Sequence, residues 1–280
     1  MEIKLIALDL DGTTLGKGAV LTDETKHTLE AAIERGVHVV IATGRTFSAV
    51  PEKVFAIKGL EYMINSNGAH VTRLKDKKII YSNCPDGKAV EEIELFLRQH
   101  SRYPIEVFTQ GQAYIDRKVY EDVRDNGSDY LDAGYIVGTR IPVDDIYGFL
   151  HEHRSQIENI NVQFRDLDDK AAMKEKLSGF KEITVTTSTT HNLEIGGRTT
   201  SKADAIANLC KLLSISEENV MAVGDSPNDG AMIEAAGLGV AVANALDEVK
   251  EKADYITLSN NDNGVAYAIK KFVLEKTDTI

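Results

Sequence analysis

Four short stretches bring together acidic, hydroxyl, basic and amide side chains of the kinds needed for chemistry at phosphorus. They are Asp9-Leu10-Asp11-Gly12-Thr13, Thr43-Gly44-Arg45, Lys202 just after Thr200-Ser201, and Gly224-Asp225-Ser226-Pro227-Asn228-Asp229. Asp9 and Asp11 flank one leucine, and Asp225 and Asp229 share one turn, so three or four carboxylates can converge on a point. Such a concentration of negative charge is costly in a partly buried place unless a cation balances it. Mg²⁺ suits the task, because it accepts one or two carboxylates, waters and a phosphate oxygen in an octahedral shell. A carboxylate can also attack phosphorus and divide a hydrolysis into two displacements. Asp9 is the candidate nucleophile. In an extended segment the carboxyl two residues on lies on the same side, where Asp11 can protonate a leaving oxygen and later take a proton from water. The three oxygens of a transferring phosphoryl group also need donors. The Thr43 hydroxyl, backbone N–H groups near Leu10 and Gly44, the Lys202 ammonium and the Asn228 amide are available.

These groups must be held by regular elements, and the chain supplies them in a recognisable alternation. KLIALDL at 4–10 is an apolar run ending abruptly at Asp-Gly-Thr, as a buried parallel strand does. Thr22 or Asp23 can cap a following helix that stops at Gly36. VHVVIATG is a second buried strand, Phe47 to Ala56 reads as a short helix, and 60–68 as a third strand. Strand, helix and strand in alternation imply right-handed crossovers and a parallel sheet. HVTR and KKIIYSN then form a hairpin. From about 84 to 193 the grammar is α+β: a helix at AVEEIELFLRQH, a hairpin about Gln110-Gly111, a helix at VDDIYGFLHEHR, and closing strands within EITVTTSTTHNLEI. After Arg198 the first grammar returns, with helices at SKADAIANLCKLL and PNDGAMIEAAG and strands at NVMAVGD, LGVAVA and YITL. The expectation is two domains, a core from 1–83 and 194–280 interrupted by an insertion at 84–193. Ligands of doubly wound sheets gather at the carboxyl ends of the strands, where the four polar stretches fall.

Composition narrows the classes. A chain of 280 residues with 42% hydrophobic and 27% charged residues is large enough for two cores and too apolar for wholesale disorder. Its 32 basic and 44 acidic residues give a formal charge of −12, the wrong sign for a protein that grips nucleic acid. No run approaches the length of a membrane span, and the N-terminal apolar stretch has no basic leader, so a cytoplasmic protein is expected. Cys84 and Cys210 have no CxxC spacing and read as incidental thiols. His151 and His153 lie two apart on a helix, face different ways and read as solvated. Gly12 and Gly44 read as permissive backbone points, since no GxGxxG follows the first strand.

DLDGT, ATGR, the Thr200-Ser201-Lys202 segment and GDSPND resemble, in order, the four motifs of the haloacid dehalogenase superfamily. The layout is similar to its Cof-type phosphatases, in which a large cap lies between the second and third motifs. INSNGA at 64–69 and NGV at 263–265 resemble that subfamily too. The resemblance implies an α/β fold, a Rossmann-like doubly wound parallel-sheet core with an inserted α+β cap domain. It also implies a phosphatase acting on small phosphorylated metabolites such as sugar phosphates through an aspartyl-phosphate on Asp9, with Asp11 as acid/base. A magnesium would be held by Asp9, the Asp11 carbonyl and Asp225, and phosphate by Thr43, Lys202 and Asn228. The chain departs from the subfamily at Ala203, where glycine is common, and at Val242-Ala243, where Met-Gly is common. Two alternatives are a phosphomutase of the phosphomannomutase type, which shares the DxDGT motif, and a phospho-accepting signalling module. Such a module is usually much shorter and lacks an inserted domain. Arg45 can either reach substrate or pair locally.

Overall fold

The computed structural model describes residues 2–275, which divide into two compact units. The first comprises Met1–Thr43, Pro51–Ser82 and Lys202–Ile280, and the second Gly44–Val50 and Asn83–Ser201.

The first unit is built on eight strands: β1 (Leu5–Leu8), β2 (His38–Ala42), β3 (Tyr62–Asn65), β4 (His70–Arg73), β5 (Lys78–Ser82), β12 (Val220–Gly224), β13 (Leu238–Ala241) and β14 (Tyr255–Ile256). Their order across the sheet is β14-β13-β12-β1-β2-β3-β4-β5. Strands β14 through β3 are parallel, and the β4–β5 hairpin adds two antiparallel strands at one edge. Strand succession runs one way from β1 to β2 and β3 and the other way from β12 to β13 and β14. The reversal lies at β1, so the carboxyl ends of β1 and β12 border the crevice that doubly wound sheets offer to ligands. Helices α1 (Asp23–Glu34), α2 (Glu52–Phe55), α8 (Lys202–Leu213), α9 (Gly230–Ala235), α10 (Asp247–Lys250) and α11 (Gly264–Ile269) complete this unit. Thr22 caps α1, its hydroxyl accepting from the Thr25 N–H at 3.1 Å. Buried apolar residues of β1, β2, β3 and β12 pack with Ala205, Ile206 and Leu209 of α8. That packing fixes the start of α8, and with it Lys202.

The second unit has six strands: β6 (Ile105–Thr109), β7 (Gln112–Asp116), β8 (Arg140–Val143), β9 (Ile157–Gln163), β10 (Ile183–Thr186) and β11 (Asn192–Gly197), ordered β10-β11-β9-β6-β7-β8. Gln110 and Gly111, at φ 52 and 72, form the two-residue turn between β6 and β7. Its helices are α3 (Gly87–His100), α4 (Arg117–Asn126), α5 (Ala133–Thr139), α6 (Ile146–His153) and α7 (Leu167–Leu177). Asp86, Asp116, Asp132, Asp145 and Asp166 each cap one of these five, accepting from a backbone N–H of the first turn. One face of the sheet (Val107, Ile160, Val162, Leu193, Ile195) packs with Val90, Ile93, Leu150 and Leu177 from the helices.

Two sequence readings are corrected. The unit boundary placed at residue 194 cuts through β11, which pairs with β9 and β10; the return to the first unit comes at Lys202. The helix expected over Phe47–Ala56 is two pieces, a 3₁₀ turn Phe47–Ala49 and α2, separated at Pro51, which lacks the N–H that would continue the ladder. Segment 44–50 groups with the second unit, where the Ser48 N–H donates to the Gly111 carbonyl at 3.0 Å. Among the described residues no helix is long and apolar enough to cross a membrane.

Candidate active site

The four residues of β1 are all buried, and Asp9 is the first residue past them. Its N–H donates to the Val223 carbonyl at 2.9 Å, continuing the β1–β12 pairing and setting Asp9 beside the turn that follows β12. Beyond Asp9 the chain folds back at once: the Leu10 carbonyl accepts from the N–H groups of Thr14 and Leu15, and the Thr14 hydroxyl donates to the Asp9 carbonyl at 2.5 Å. Gly12 makes this loop possible. It sits at φ 80, and a Cβ there would lie 2.6 Å from Asp225 Oδ2.

The turn after β12 is organised around Asp229. Its Oδ2 accepts from the N–H groups of Asp225 at 2.9 Å and Ser226 at 3.0 Å. Asp225 in turn is held by two hydroxyls, Thr13 on Oδ1 at 2.6 Å and Ser226 on Oδ2 at 2.9 Å. Lys202, the fully buried first residue of α8, donates to Asp9 Oδ1 at 2.5 Å and to Asp229 Oδ1 at 2.7 Å. Both oxygens of Asp229 are therefore engaged within the protein, whereas Asp9 Oδ2 has no hydrogen-bond partner among the described residues.

Asp9, Asp225 and Asp229 bring carboxylate oxygens within 4.8 Å of one another. Three carboxylates against one ammonium leave two negative charges uncompensated. Burial, and after it the Asp229 charge, raises the Asp9 carboxyl well above its ordinary range, with Lys202 opposing. Burial and Asp229 likewise raise Asp225, against the pull of Thr13 and Ser226. Burial disfavours the Lys202 ammonium, but Asp229 and Asp9 outweigh it and hold its pKa above that of an ordinary lysine. A hard divalent cation fits this donor set, which is all oxygen and lacks two charges of balance, and would oppose both upward shifts.

A second polar group gathers at the ends of β2 and β3. Buried Thr43 donates its N–H to the Ile64 carbonyl and accepts the Asn67 N–H on its own carbonyl. Asn228 Nδ2 donates to Asn67 Oδ1 at 3.0 Å, while Asn228 Oδ1 and Asn67 Nδ2 are buried without a protein partner. The pair presents one free acceptor and one free donor. Asn67 is held at φ 57, and its trace in the sequence is an asparagine just after a strand. Asp11 is exposed and bridges to Leu15. Gly44 and Arg45 group with the second unit, where Arg45 Nη1 donates to the Ala49 carbonyl at 2.7 Å and the guanidinium lies 4.6 Å from the Tyr135 ring centroid. Gly12 takes a left-handed conformation and Gly44 does not. His151 and His153 make separate bonds, to Glu94 and to the Phe149 carbonyl.

Comparison with known proteins agrees with this geometry. Residues 6–269 match the family of haloacid dehalogenase-like hydrolases. The chain is 32% identical to the 5-amino-6-(5-phospho-D-ribitylamino)uracil phosphatase YcsE of Bacillus subtilis, over 98% of this chain and 97% of that protein. It is 31% identical to the phosphatase YwpJ of the same organism, over 96% of this chain and 99% of that one. A solved haloacid dehalogenase-like hydrolase from B. subtilis superposes with a TM-score of 0.83 at 29% identity, covering 97% of this chain and 100% of the other. With carboxylates, lysine and amides set at the strand ends of one sheet, the chain belongs to the haloacid dehalogenase-like hydrolases and is, among them, a phosphoric monoester hydrolase.

Proposed function

We propose that the enzyme is a Mg²⁺-dependent phosphatase that hydrolyses small phosphorylated metabolites through an aspartyl-phosphate on Asp9. The observation that carries this reading is the asymmetric environment of Asp9: Lys202 holds Oδ1 at 2.5 Å, and Oδ2 stays free to attack. Oδ2 forms a bond to phosphorus as the ester P–O bond breaks, and Asp11 gives the leaving oxygen its proton. Water then attacks the phosphoryl group, Asp11 takes the proton, and the Asp9 carboxylate is released with inorganic phosphate. The Lys202 ammonium, Thr43 hydroxyl, Asn228 amide and N–H groups of Leu10 and Gly44 bind the phosphoryl oxygens, whose charge spreads in the transition state. Asp9, the Asp11 carbonyl and Asp225 would hold Mg²⁺, which supplies charge neutralisation for the transferring group when bound. Asp229 serves by fixing Lys202 and the turn.

The second unit, Gly44–Val50 with Asn83–Ser201, acts in this reading as a cap that selects the organic part of the ester. Three relatives are named as 5-amino-6-(5-phospho-D-ribitylamino)uracil phosphatases, which makes that ester the first to try. The test is phosphate release from a panel of phosphorylated metabolites with Mg²⁺, with EDTA, and with Asp9→Asn. We expect release with Mg²⁺, none with EDTA, and a loss of at least about a thousandfold with Asp9→Asn. More than a few per cent of the parent rate from Asp9→Asn, or full activity after exhaustive chelation, would remove the nucleophile or the metal from the mechanism. Isomerised sugar phosphate in place of free phosphate would make the enzyme a mutase.

A further inference from the structure

Three asparagines on the turns after β13 and β14 reach across to the loop that follows β1, all within the first unit. Asn244 Nδ2 donates to the Gly12 carbonyl at 2.8 Å, and Asn244 Oδ1 accepts the Asn260 N–H at 2.9 Å. Asn260 Nδ2 donates to the Leu15 carbonyl at 2.9 Å. Asn261 Oδ1 accepts the Lys17 N–H at 2.8 Å. Every partner is a backbone group, which fixes the orientation of each amide: a carbonyl only accepts and an N–H only donates. Asn244 splints two loops together because one short side chain carries a donor and an acceptor at once.

The clamp has a firm base. Gly264 lets the turn after β14 close on itself, since a Cβ there would fall 2.0 Å from the Leu258 carbonyl oxygen. Asn263, at φ 57, accepts the Thr22 hydroxyl at 2.7 Å and donates to Glu24 at 2.8 Å, which ties down the far end of the loop at the cap of α1. The loop supplies little order of its own: Gly16 and Val20 pair as an isolated bridge, Gly18 and Ala19 turn at φ 71 and 56, and Lys17 and Gly18 are exposed. Asp11 is exposed as well, and the backbone on both sides of it is held. The Leu10 carbonyl accepts from Thr14 and Leu15, and the Gly12 carbonyl accepts from Asn244.

We propose that Asn244, Asn260 and Asn261 are positioning residues: they hold the backbone of residues 12–17 so that the Asp11 carboxyl stands within reach of the leaving oxygen. The inference rests on the acid role given to Asp11 above. In that step the bond from Asp9 to phosphorus forms, the ester P–O bond breaks, and the Asp11 proton passes to the departing oxygen. An alkoxide needs that proton, whereas p-nitrophenolate leaves without it. A loosened clamp therefore slows alkyl esters and spares the aryl ester.

The test measures kcat/KM for glucitol 6-phosphate and p-nitrophenyl phosphate, with Mg²⁺, in the parent, Asn244→Ala, Asn260→Ala and Asp11→Asn. For both esters kcat/KM reports the step that phosphorylates Asp9, so the later use of Asp11 toward water does not enter. Asp11→Asn should lower the alkyl-to-aryl ratio about a hundredfold or more, the usual worth of a general acid. Each asparagine variant should lower it about tenfold and keep p-nitrophenyl phosphate within about threefold of the parent. Each should also melt within about 4 °C of the parent, since it loses only one or two hydrogen bonds near the surface. Trypsin should cut the variants after Lys17 faster than the parent, with its other sites unchanged. Amides that merely staple the fold give another pattern, a lower melting temperature and equal losses on both esters. That pattern, or a ratio that moves in Asp11→Asn and not in the asparagine variants, overturns the proposal and leaves the acid role of Asp11 standing. A ratio unmoved in Asp11→Asn removes Asp11 as the acid and the proposal with it. If Asn244→Ala does not fold, Asn244→Ser takes its place. With a parent that hydrolyses neither ester the metabolite reading fails, and cleavage after Lys17 at equal rates in parent and variants overturns the clamp.

Discussion

Replacing Lys202 by methionine keeps most of the side-chain volume and removes the one ammonium that, among the described residues, pairs with Asp9 and Asp229. The lysine is fully buried, as is Asp229, and Asp9 is nearly so. Removing one partner from a buried ion pair typically costs about 3–5 kcal/mol, because the remaining charge keeps its desolvation penalty. For a chain of this size each kcal/mol moves the melting temperature by about 2–4 °C, so Lys202→Met should melt about 6–20 °C below the parent in EDTA. Mg²⁺ should recover much of that difference. A ligand that binds only the native state adds about 2.7 kcal/mol at a hundred times its dissociation constant, and the variant's three uncompensated carboxylates hold a cation more tightly than the parent's site does. The melting temperature should therefore rise more on adding Mg²⁺ in the variant than in the parent. The deficit in EDTA should also shrink toward acid pH. Asp9 already has a raised pKa in the fold, so its contribution favours the native state below the ordinary carboxylate range and is lost as pH rises through the folded value. Turnover should fall by about a hundredfold or more, from the loss of one contact to developing charge worth about 3 kcal/mol. Differential scanning fluorimetry with and without Mg²⁺, beside phosphate release, covers every arm. A shift below about 2 °C in EDTA, or an equal response to Mg²⁺ in both proteins, refutes the charge balance drawn here.

Gly12→Ala places a Cβ 2.6 Å from Asp225 Oδ2 on a backbone at φ 80. It should cost about 1–2 kcal/mol of stability and weaken Mg²⁺ binding about tenfold or more, as read by urea unfolding and calorimetric titration. Arg140 Nη2 donates to buried Glu106 at 2.7 Å. Arg140→Met strands that carboxylate and should cost about 3–5 kcal/mol in urea unfolding, most of it recovered in Arg140→Met with Glu106→Gln. Burial, with help from Glu217, pushes the Cys210 thiol up to about 11. Iodoacetamide at pH 8 should therefore label Cys210 only after unfolding, as mass spectrometry of the digested protein will show. Since that pKa is above the ordinary thiol value, the stability it confers is present at neutral pH and lost as pH climbs through about 11.

The first unit was legible because its strands are short, apolar and end on polar residues. Buried parallel strands leave that signature, and the chemistry sits where it stops, at Asp9, Thr43 and Asp225. The pairing of Thr13 with Asp225 and of Asn67 with Asn228 was not legible, since it depends on which loops the strand order makes neighbours. Asp229 looked like a possible metal group; its two oxygens turn out to be taken by Lys202 and by backbone N–H groups. In the second unit β6 and β7 announced themselves by the Gln110-Gly111 turn. Strand β9 did not: its sequence IENINVQ has one acidic and three amide residues, breaks alternation at Glu158-Asn159, and is buried throughout. Nor did α4, whose charged sequence buries Val123 alone. Helix α2 was overrun because periodicity carried past Pro51.

The order of strands across the first sheet also bears on how the chain reaches its fold. Strand β1 needs β2 on one side and β12 on the other, and Thr13 lies 212 positions from its partner Asp225. During synthesis at about 5–20 residues per second, some 10–40 s pass between the two. Through that interval β1 is an unpaired sheet edge of buried-type residues, the kind that associates with other chains. The second unit has no such wait: its strands lie within one continuous stretch and close around their own core as soon as β11 emerges. Non-local pairing is slow to form, so completion of the first sheet sets the pace of folding. Holdase chaperones should accordingly be most useful to chains halted between β5 and β12, and the carboxylate cluster cannot assemble, or do damage to cellular phosphate esters, before the chain is nearly complete.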